Sequence, residues 1–473
     1  MDVKEIFKLE SADKVIQELK AGRSMPQPDV ARARRAIEPD LHDVNSKALR
    51  PDKKVLTGAE DNKPEEDRYR IEKVARVRLA IQKLIINRSV SFCFGNPVLY
   101  NATPENERQH VIVGALRRIL YDNKSDSLNR RIGRSVFGFK ECAEIWYPVE
   151  RPNTGYGFAS RFKLRCVLFS PEYGDELYPY FDETGDMTVF SRAFSKKDTE
   201  GKTVYYFEAY TDTEHWLWRR LDTAYELVEW YPKEIAIGKI PVVYGYQDYF
   251  ETQDVDSLID RLETLLSNFA DTNDYHASPK IFVKGDLKGF SKKGEAGAII
   301  EGDVDSDAKY LEWSNAPQAV KLEIETLLRM IYTITQTPDI SFESVKGLGA
   351  ISGIALKLLF MDAHLKVQDK REIFDDYLQR RVNVIKAFIG VFNVSLGKDC
   401  ETMEIQPEIT PYMIESEMDD INLWLAANGN KPLVSQKQSV KSANLSQDPD
   451  ADYEQIQEEA SRDNAFMVGE PME

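Results

Sequence analysis

The sequence is poor in cysteine, histidine and positive charge. Its four cysteines lie far apart without a Cys-x-x-Cys pair, so neither a zinc site nor a dense disulfide framework is predicted, and a reducing cytoplasm suits them. The five histidines never pair at the spacing of metal ligands, which leaves metal-dependent hydrolysis unsupported. The formal net charge of −17 argues against a freestanding DNA-binding module, because such a module needs a basic face to neutralise phosphates.

Long uncharged apolar segments are also missing. No window approaches the roughly 18 uncharged apolar residues that a bilayer span requires. The N-terminus mixes Asp2, Lys4 and Glu5 with apolar residues and so lacks the layout of a signal peptide. We therefore expect a protein that is soluble when made and has no membrane partner. With 473 residues, of which 42% are hydrophobic, the chain is long enough for several domains with real cores.

Motifs for phosphate and dinucleotide binding are incomplete. The Gly201-Lys-Thr triplet lacks the earlier glycine of a phosphate-binding loop, because position 196 is Lys196, and it lies between predicted strands. The Gly347-x-Gly-x-x-x-Gly353 pattern follows a helix and a proline, whereas the dinucleotide fingerprint follows a strand. The first motif is therefore predicted to be a hairpin turn, and the second a Gly-rich break.

The motif of a calcium-binding loop is also incomplete, and that of a nucleophile elbow is absent. Asp303, Asp305 and Asp307 resemble the start of a calcium loop, but Ala308 stands where its glycine belongs and Ser314 occupies the twelfth position. A Gly-x-Ser-x-Gly elbow does not occur. We therefore expect a protein that is not an enzyme and that holds no cofactor or metal.

The chain does have a pair of matched amphipathic segments, 253–278 and 317–340. In each segment apolar residues recur at spacings of three and four, which places them on one face of a helix. The second segment begins after Pro317 and stops at Pro338. Because a long polar, Gly-dotted stretch separates them, they are predicted to form an antiparallel pair that carries a distal lobe. The residues predicted to pack the pair are Leu258, Leu262, Leu265, Ile324, Leu327 and Ile331.

A series of short motifs runs through and around this pair. In chain order they are Gly238-Lys-Ile-Pro-Val-Val, Ser257-Leu-Ile-Asp, Ser267-Asn and Ser352-Gly-Ile-Ala-Leu-Lys. This order resembles the portal proteins of tailed bacteriophages, and the resemblance spans residues 65 to 464. No single motif is as specific as a metal-ligand signature, so the order of all of them carries the resemblance.

The resemblance implies an α+β portal-protein fold. Its parts are a wing of helices and antiparallel strands, a two-helix stem, a small α/β clip, a long wing helix and a helical crown. The implied regions are an N-terminal helix and flexible arm (1–66), wing (67–252), stem helix (253–278), clip (279–316), stem helix (317–340), tunnel loop (341–353), long wing helix (354–400), crown (401–460) and disordered tail (461–473).

The resemblance also implies where partners would meet the chain. In this family the tunnel loop faces translocating DNA, which implies DNA-facing positions at Phe342, Glu343, Ser344, Val345, Lys346, Gly347, Leu348 and Gly349. The acids of the first stem helix either line the lumen or face outward, and they are Asp256, Asp260, Glu263 and Asp271. The lysines of the clip either dock other proteins or keep a loop soluble, and they are Lys280, Lys284, Lys288, Lys292 and Lys293.

The function implied by the resemblance is that of a dodecameric ring at one capsid vertex. Such a ring is the conduit for packaging and ejecting double-stranded DNA, and it docks the terminase large subunit and a head–tail adaptor. Major capsid and scaffolding proteins are further implied partners, and the implied location is the virion, after assembly in the host cytoplasm. The alternative is a helical scaffold or adaptor protein of a virion with no channel.

Further patterns along the chain complete the predictions. The segment 67–91 is predicted to be helical, and the residues before it, from Ala21, to be a mobile arm. In that arm Arg32, Arg34 and Arg35 either contact nucleic acid or an anionic neighbour, or form a solvated helix face, which is the favoured interpretation. Alternation between 138 and 250 predicts an antiparallel sheet, whose tryptophans are assigned to the core rather than to a stacking platform. The last long helix is predicted over 353–392.

Overall fold

Helices and antiparallel strands occupy separate blocks of the chain, which makes the fold α+β. The computed structural model describes residues 3–56, 69–276, 281–284, 307–310, 316–339, 360–412, 435–438 and 453–459. The helices are α1 Val3–Ile6, α2 Ala12–Ala21, α3 Val30–Ile37, α4 Ile81–Phe94, α5 Glu107–Asp122, α6 Ser125–Phe139, α7 Asp256–His276, α8 Ala316–Ile334, α9 Met361–Phe392 and α10 Gly397–Thr402. The strands are β1 Lys53–Leu56, β2 Tyr69–Glu72, β3 Leu99–Ala102, β4 Glu141–Asn153, β5 Ser160–Phe169, β6 Glu176–Phe181, β7 Met187–Lys197, β8 Thr203–Tyr210, β9 Glu214–Leu221, β10 Ala224–Leu227, β11 Lys233–Glu234, β12 Val242–Tyr246, β13 Ile281–Lys284, β14 Asp307–Tyr310 and β15 Ile405–Glu408.

The chain divides into two compact units. The first consists of Met1–Ser344 and Met361–Tyr412 and holds every helix and strand named above. The second consists of Val345–Phe360 and Met413–Glu473. Within the second unit residues 453–459 are helical, and the Gln457 side chain donates a hydrogen bond to Oε1 of Gln436 at 2.8 Å.

Two antiparallel sheets form the centre of the first unit. One has the strand order β12-β4-β5, and the other has the order β10-β9-β8-β7-β6, with β11 paired to β9. Tight turns join neighbouring strands of the second sheet: Asp182 and Asp198 accept backbone N–H bonds within their own turns, while Gly185 and Gly201 adopt φ of +88° and +82°. Gly201 thus serves a hairpin turn, as its place in the sequence predicts, because only glycine adopts that φ without strain.

Apolar side chains join the elements into three clusters. The first lies where α1 and α2 cover the second sheet and includes Ile6, Leu19 and Trp218. The second lies between the two sheets and includes Phe169, Phe190 and Val242. The third, described below, joins α7, α8 and α4. Trp146 and Trp218 are buried, which agrees with the assignment of the tryptophans to the core, but Trp230 is 82% exposed, so the assignment is wrong for that residue.

The N-terminal arm differs from its prediction. Residues 22–56 contain α3, two short 3-10 turns at Pro39–Leu41 and Asp43–Asn45, and strand β1. Asp29 caps α3 by accepting the N–H of Arg32 at 3.0 Å, which is a common way to start a helix. The arm was predicted to be mobile because it is poor in aromatics, but its charged residues make specific contacts that composition does not reveal.

The helix predicted over 67–91 is wrong in its first half. Tyr69–Glu72 form β2, which pairs with β1. The chain then continues without helix or strand to residue 80, and α4 begins only at Ile81. From the sequence a further strand is predicted at 402–407; in the structure it begins later, as β15 at Ile405, after α10. Helix α9 ends at Phe392, the end that its pattern predicts; residues 353–359 of that prediction lie outside the described residues.

Candidate functional site: the α7–α8 pair

The α7–α8 pair is held together by an apolar seam. Leu262, Leu265, Leu327 and Ile331 are buried in it, and the partly buried Leu258 and Ile324 pack against the same cluster. All six residues predicted to pack the pair therefore lie in one cluster. Ile81 and Ile85 of α4 enter the same seam, so the pair is anchored to the body of the first unit.

An extended segment lies along α7 and is fastened to it by three hydrogen bonds. The backbone N–H groups of Ala75, Val77 and Leu79 donate to Asp271 Oδ1 at 2.7 Å, Ser267 Oγ at 2.9 Å and Glu263 Oε1 at 2.6 Å, respectively. Four residues of helix advance about 6 Å. Two residues of extended chain advance about 6.6 Å, so the two spacings nearly match. We call these contacts the acceptor ladder. The sequence feature that could have indicated the acceptor ladder is the spacing of four residues between the acceptor side chains on α7.

The ladder, together with the pairing of β2 with β1, explains why residues 69–80 are not helical. In an extended conformation every second N–H points the same way and meets an acceptor on α7, whereas a helix would use those N–H groups internally. The apolar periodicity of 67–91 indicated a helix only because local patterns carry no information about acceptors nearly 200 residues away.

Glu263, predicted as a lumen candidate, is instead an internal acid. Its side chain is 1% exposed, and its Oε1 lies 2.7 Å from Nδ1 of the buried His42. Burial disfavours the charged imidazole, but the hydrogen bond and negative charge of Glu263 outweigh it and raise the pKa of His42. A buried carboxylate in such a pair does not present charge to a lumen, so this residue does not fit the predicted role.

The other three lumen candidates differ in their surroundings. Asp271 accepts a hydrogen bond from Arg50 Nη2 at 2.8 Å in addition to its place in the acceptor ladder, which largely compensates its charge. Asp256 forms an ion pair with Arg32 at 3.2 Å. Asp260 is exposed and has no ion pair with a described residue. Desolvation by neighbouring side chains, together with nearby carboxylates, raises the pKa of Asp260.

Helix α8 also carries exposed apolar residues beyond the seam, which we call its second apolar face. Leu322, Met330 and Ile334 recur at spacings of eight and four, and their side chains are 66%, 48% and 50% exposed. Met330 and Ile334 each follow a residue of the α7 seam, Leu327 and Ile331, by three positions, so they border that seam, while Leu322 lies further round the helix. An apolar surface wider than the part its partner helix covers is typical of a helix buried in a larger assembly.

A buried charge cluster lies where the segment between β12 and α7, the end of α8 and α9 meet. Oε1 and Oε2 of Glu251 lie 2.6 Å from Nζ of Lys366 and Lys370, and Lys366 also donates to the carbonyl of Thr335 at 2.7 Å. Burial opposes the charge on Glu251, but the two lysines outweigh it and lower the pKa of Glu251. Burial, with repulsion from Lys370, lowers the pKa of Lys366. Sequence reasoning missed this cluster, because Glu251 lies more than 100 residues from the two lysines and no motif links them.

Most of the predicted clip and tunnel loop lies outside the described residues. This applies to Lys280, Lys288, Lys292 and Lys293, and to 342–349. Lys284 is exposed at the end of β13, which pairs antiparallel with β14. These two strands are the described part of the connection between α7 and α8.

Chemistry at the cysteines and at metal sites finds no support in the part of the chain that the structure describes. No three acidic, histidine or cysteine side chains there form a metal-binding group. Burial raises the pKa of Cys93 to about 12 and that of Cys400 to about 11, so neither thiol is an activated nucleophile. No described helix is both long enough and apolar enough to cross a bilayer.

Comparisons with known proteins address the whole chain. The neck of an empty GTA particle, computed with C6 symmetry, shares 9% identity at a TM-score of 0.42 and covers 78% of this chain and 90% of that chain. The neck of a native GTA particle, computed with C12 symmetry, shares 10% identity at a TM-score of 0.41 and covers 91% and 98%. No curated protein matches. The sequence model described as phage portal protein, SPP1 Gp6-like, matches residues 31–465. Because this match takes in nearly the whole sequence, the chain belongs to the SPP1 Gp6-like family of phage portal proteins.

Proposed function

We propose that the chain assembles into a dodecameric ring at one capsid vertex, the conduit through which double-stranded DNA is packaged and ejected. Membership of the family gives it a portal or connector role in a phage virion, and the family is structural rather than enzymatic. In the proposal the ring forms in the host cytoplasm and docks the terminase large subunit and a head–tail adaptor. It also contacts the major capsid and scaffolding proteins.

The second apolar face of α8 is the observation that carries the ring. Leu322, Met330 and Ile334 contribute to no apolar cluster among the described residues of a single chain. Burying each of these side chains would contribute about 1.5–3 kcal/mol. In a ring, every subunit has a second copy of this chain beside it, and that copy can cover these side chains. We therefore assign this face to the contact between neighbouring stems.

The test changes that face alone. Replacing Leu322, Met330 and Ile334 together by Ser should leave the subunit folded, because these side chains are exposed in the single chain, but should prevent ring formation. Light scattering coupled to size exclusion gives the mass, and negative-stain images show whether rings remain. The matched control replaces the exposed Tyr121 and Val394 by Ser and should retain rings. Rings of normal mass from the α8 variant would remove this interface from the proposal.

The lumen is assigned to fewer acids than the sequence suggested. Asp260, and Asp256 with its partly exposed ion pair, remain candidates for an acidic wall that DNA slides past. Repulsion between exposed charges and phosphate fades within about 8 Å at physiological salt, so such a wall guides without gripping. The loop at 342–349 is proposed as the constriction, with Lys346 as its cation, and the clip lysines as the docking surface for terminase and adaptor.

A further inference from the structure

An arginine-rich surface lies on one face of α6. Arg130, Arg131 and Arg134 stand at spacings of one, three and four, which places them side by side on the helix. Arg131 and Arg134 are exposed and Arg130 is partly exposed, while Ile132 and Val136 on the other side are buried. The positive charge therefore faces outward from a rigid, well-packed element.

Helix α3 and the 3-10 turn Pro171–Tyr173 extend this surface. Both pack against α6. Arg34 of α3 donates from Nη2 to the backbone carbonyl of Glu172 at 3.3 Å, and the exposed ring of Tyr173 lies within the electrostatic reach of both Arg131 and Arg134. Arg34, Arg131 and Arg134 thus lie near one short turn, and Arg130 neighbours Arg131 and Arg134 on α6. We call Arg34, Arg130, Arg131 and Arg134 the α6 basic surface.

The arginines of the α6 basic surface have no carboxylate partner among the described residues. Exposed arginines such as Arg117, Arg165, Arg219 and Arg220 share this, so the surface is distinguished by three such arginines on one helix face with a fourth on the helix packed against it. Arg32 and Arg35, the neighbours of Arg34 in sequence, are paired with Asp256 and Asp43. No Asp or Glu among the described residues lies within 4 Å of the guanidinium groups of the α6 basic surface, although Glu172 and Asp126 are nearby in the chain. In a chain with 79 acidic and 62 basic residues, such a group leaves positive charge available to an anionic partner.

The residue composition of the α6 basic surface indicates which kind of anionic partner it binds. Protein interfaces are centred on buried apolar or aromatic anchors. Of the described side chains on α3, α6 and the turn, only Tyr173 is both large, apolar in its ring and exposed. Guanidinium groups on a helix face suit the oxygens of successive phosphates, which they bind in a bidentate manner.

We propose that the α6 basic surface binds the phosphate backbone of double-stranded DNA without reading its sequence. The proposal rests on the proposed function at one point only, since that function supplies double-stranded DNA as the polymer that the protein meets. It adds a contact at a place that none of the predicted DNA-facing positions occupies, and it assigns Arg34 to DNA while its neighbours Arg32 and Arg35 serve the subunit's own ion pairs.

The test measures binding of the full-length protein to a fluorescent 30-base-pair duplex of random sequence by anisotropy, at several salt concentrations. Replacing Arg131 and Arg134 by Glu should lower the affinity at least tenfold at low salt. It should also reduce the slope of log affinity against log salt by about two, because two phosphate contacts are lost. Replacing the exposed Arg219 and Arg220 of β9 by Glu changes the net charge equally and should leave affinity and slope unchanged.

Three results would overturn the proposal: absence of DNA binding by the wild-type protein, equal losses in both variants, or displacement of DNA by poly-glutamate as effective as that by unlabelled DNA. The last result would assign the surface to an acidic protein segment. Light scattering on the same samples reports ring formation separately, so a ring that forms without binding the duplex rejects this surface and leaves the portal assignment intact. Unchanged thermal unfolding shows that the variants are folded.

Discussion

Single buried carboxylates join segments that are far apart in this sequence. Glu144 of β4 receives two hydrogen bonds from Arg381 of α9, at 2.7 and 2.9 Å, and both side chains are fully buried. Glu251 joins the segment before α7 to α9 in the same way, and Glu263 joins α7 to the N-terminal arm through His42. Removing one partner of such a pair leaves an uncompensated buried charge, which costs about 3–5 kcal/mol. These pairs fix which segments meet more than they add to stability.

The pair between His42 and Glu263 predicts a pH dependence. The pKa of His42 is raised in the folded state, so the stabilisation is fully present below the unfolded value of 6.5 and is lost as the pH rises through the folded pKa. Asp260 and the carbonyl of Ala36 also face the imidazole and favour its charged form.

We therefore expect His42→Asn to lower the free energy of unfolding by about 3 kcal/mol at pH 6 and by clearly less at pH 9. Urea unfolding of both proteins at the two pH values measures the difference. His110→Asn is the control, because His110 lies on the exposed side of α5. An equal loss at both pH values would show that His42 acts by packing and not by charge.

At the scale of elements, the acceptor ladder determines how the chain enters α4. The segment that bridges β2 and α4 has few internal hydrogen bonds of its own and takes them from α7 instead. Ser267 is its middle acceptor, and it is fully buried between two charged neighbours. The ladder also connects the arm to α7, since Asp271 binds Arg50 as well as Ala75.

Removing the middle acceptor should loosen this segment. Ser267→Ala leaves the N–H of Val77 without its partner, and we expect a loss of about 1–2 kcal/mol. Faster hydrogen exchange should be confined to 74–80. The control is Thr272→Ala, one turn further along α7, because the exposed Thr272 hydroxyl donates only to the carbonyl of Asn268 in its own helix. If Thr272→Ala has the same effect on exchange at 74–80, the ladder is not what holds the segment.

At the scale of the whole molecule, a strongly acidic subunit is proposed to conduct an acidic polymer. A formal charge of −17 for each subunit excludes tight binding along a long path, and slow release of DNA would defeat a conduit. A small number of separate basic contacts in an otherwise acidic ring would touch the DNA without binding it tightly and would release it quickly. The proposed contacts are Lys346 in the loop and the α6 basic surface.

Shortening the proposed constriction tests the conduit itself. Deleting 342–349 should leave the subunit able to form rings, because the described seam and the second face of α8 lie outside the deletion, yet it should impair DNA packaging or retention. The DNA content of capsids built with the variant is the measurement. A replacement of the same eight positions by Gly and Ser separates the length of the loop from its side chains. Capsids that fill normally with the deletion would rule out a tunnel-loop role.

Whether a feature could be predicted from the sequence depends on how far apart in the chain its interacting residues lie. The α7 and α8 helices and their six packing residues follow from a local period, so the pattern of Leu262, Leu265, Leu327 and Ile331 was sufficient. The extended segment at 69–80 was mistaken for a helix because its partner acceptors lie on α7. No sequence pattern indicates the cluster around Glu251, since a lysine in a long amphipathic helix usually faces water.

The sequence by itself determined the portal family, the two matched helices and the absence of recognisable catalytic motifs, because motif order and apolar periodicity are properties of neighbouring residues. Only the tertiary structure decided which charges are available to a partner. Glu263 and Asp271 belong to the same acidic helix as Asp260, yet burial and pairing with His42 and Arg50 remove them from the surface. Charge is fixed by residue type, but its exposure depends on the segments that fold against it, and those come from distant parts of the chain.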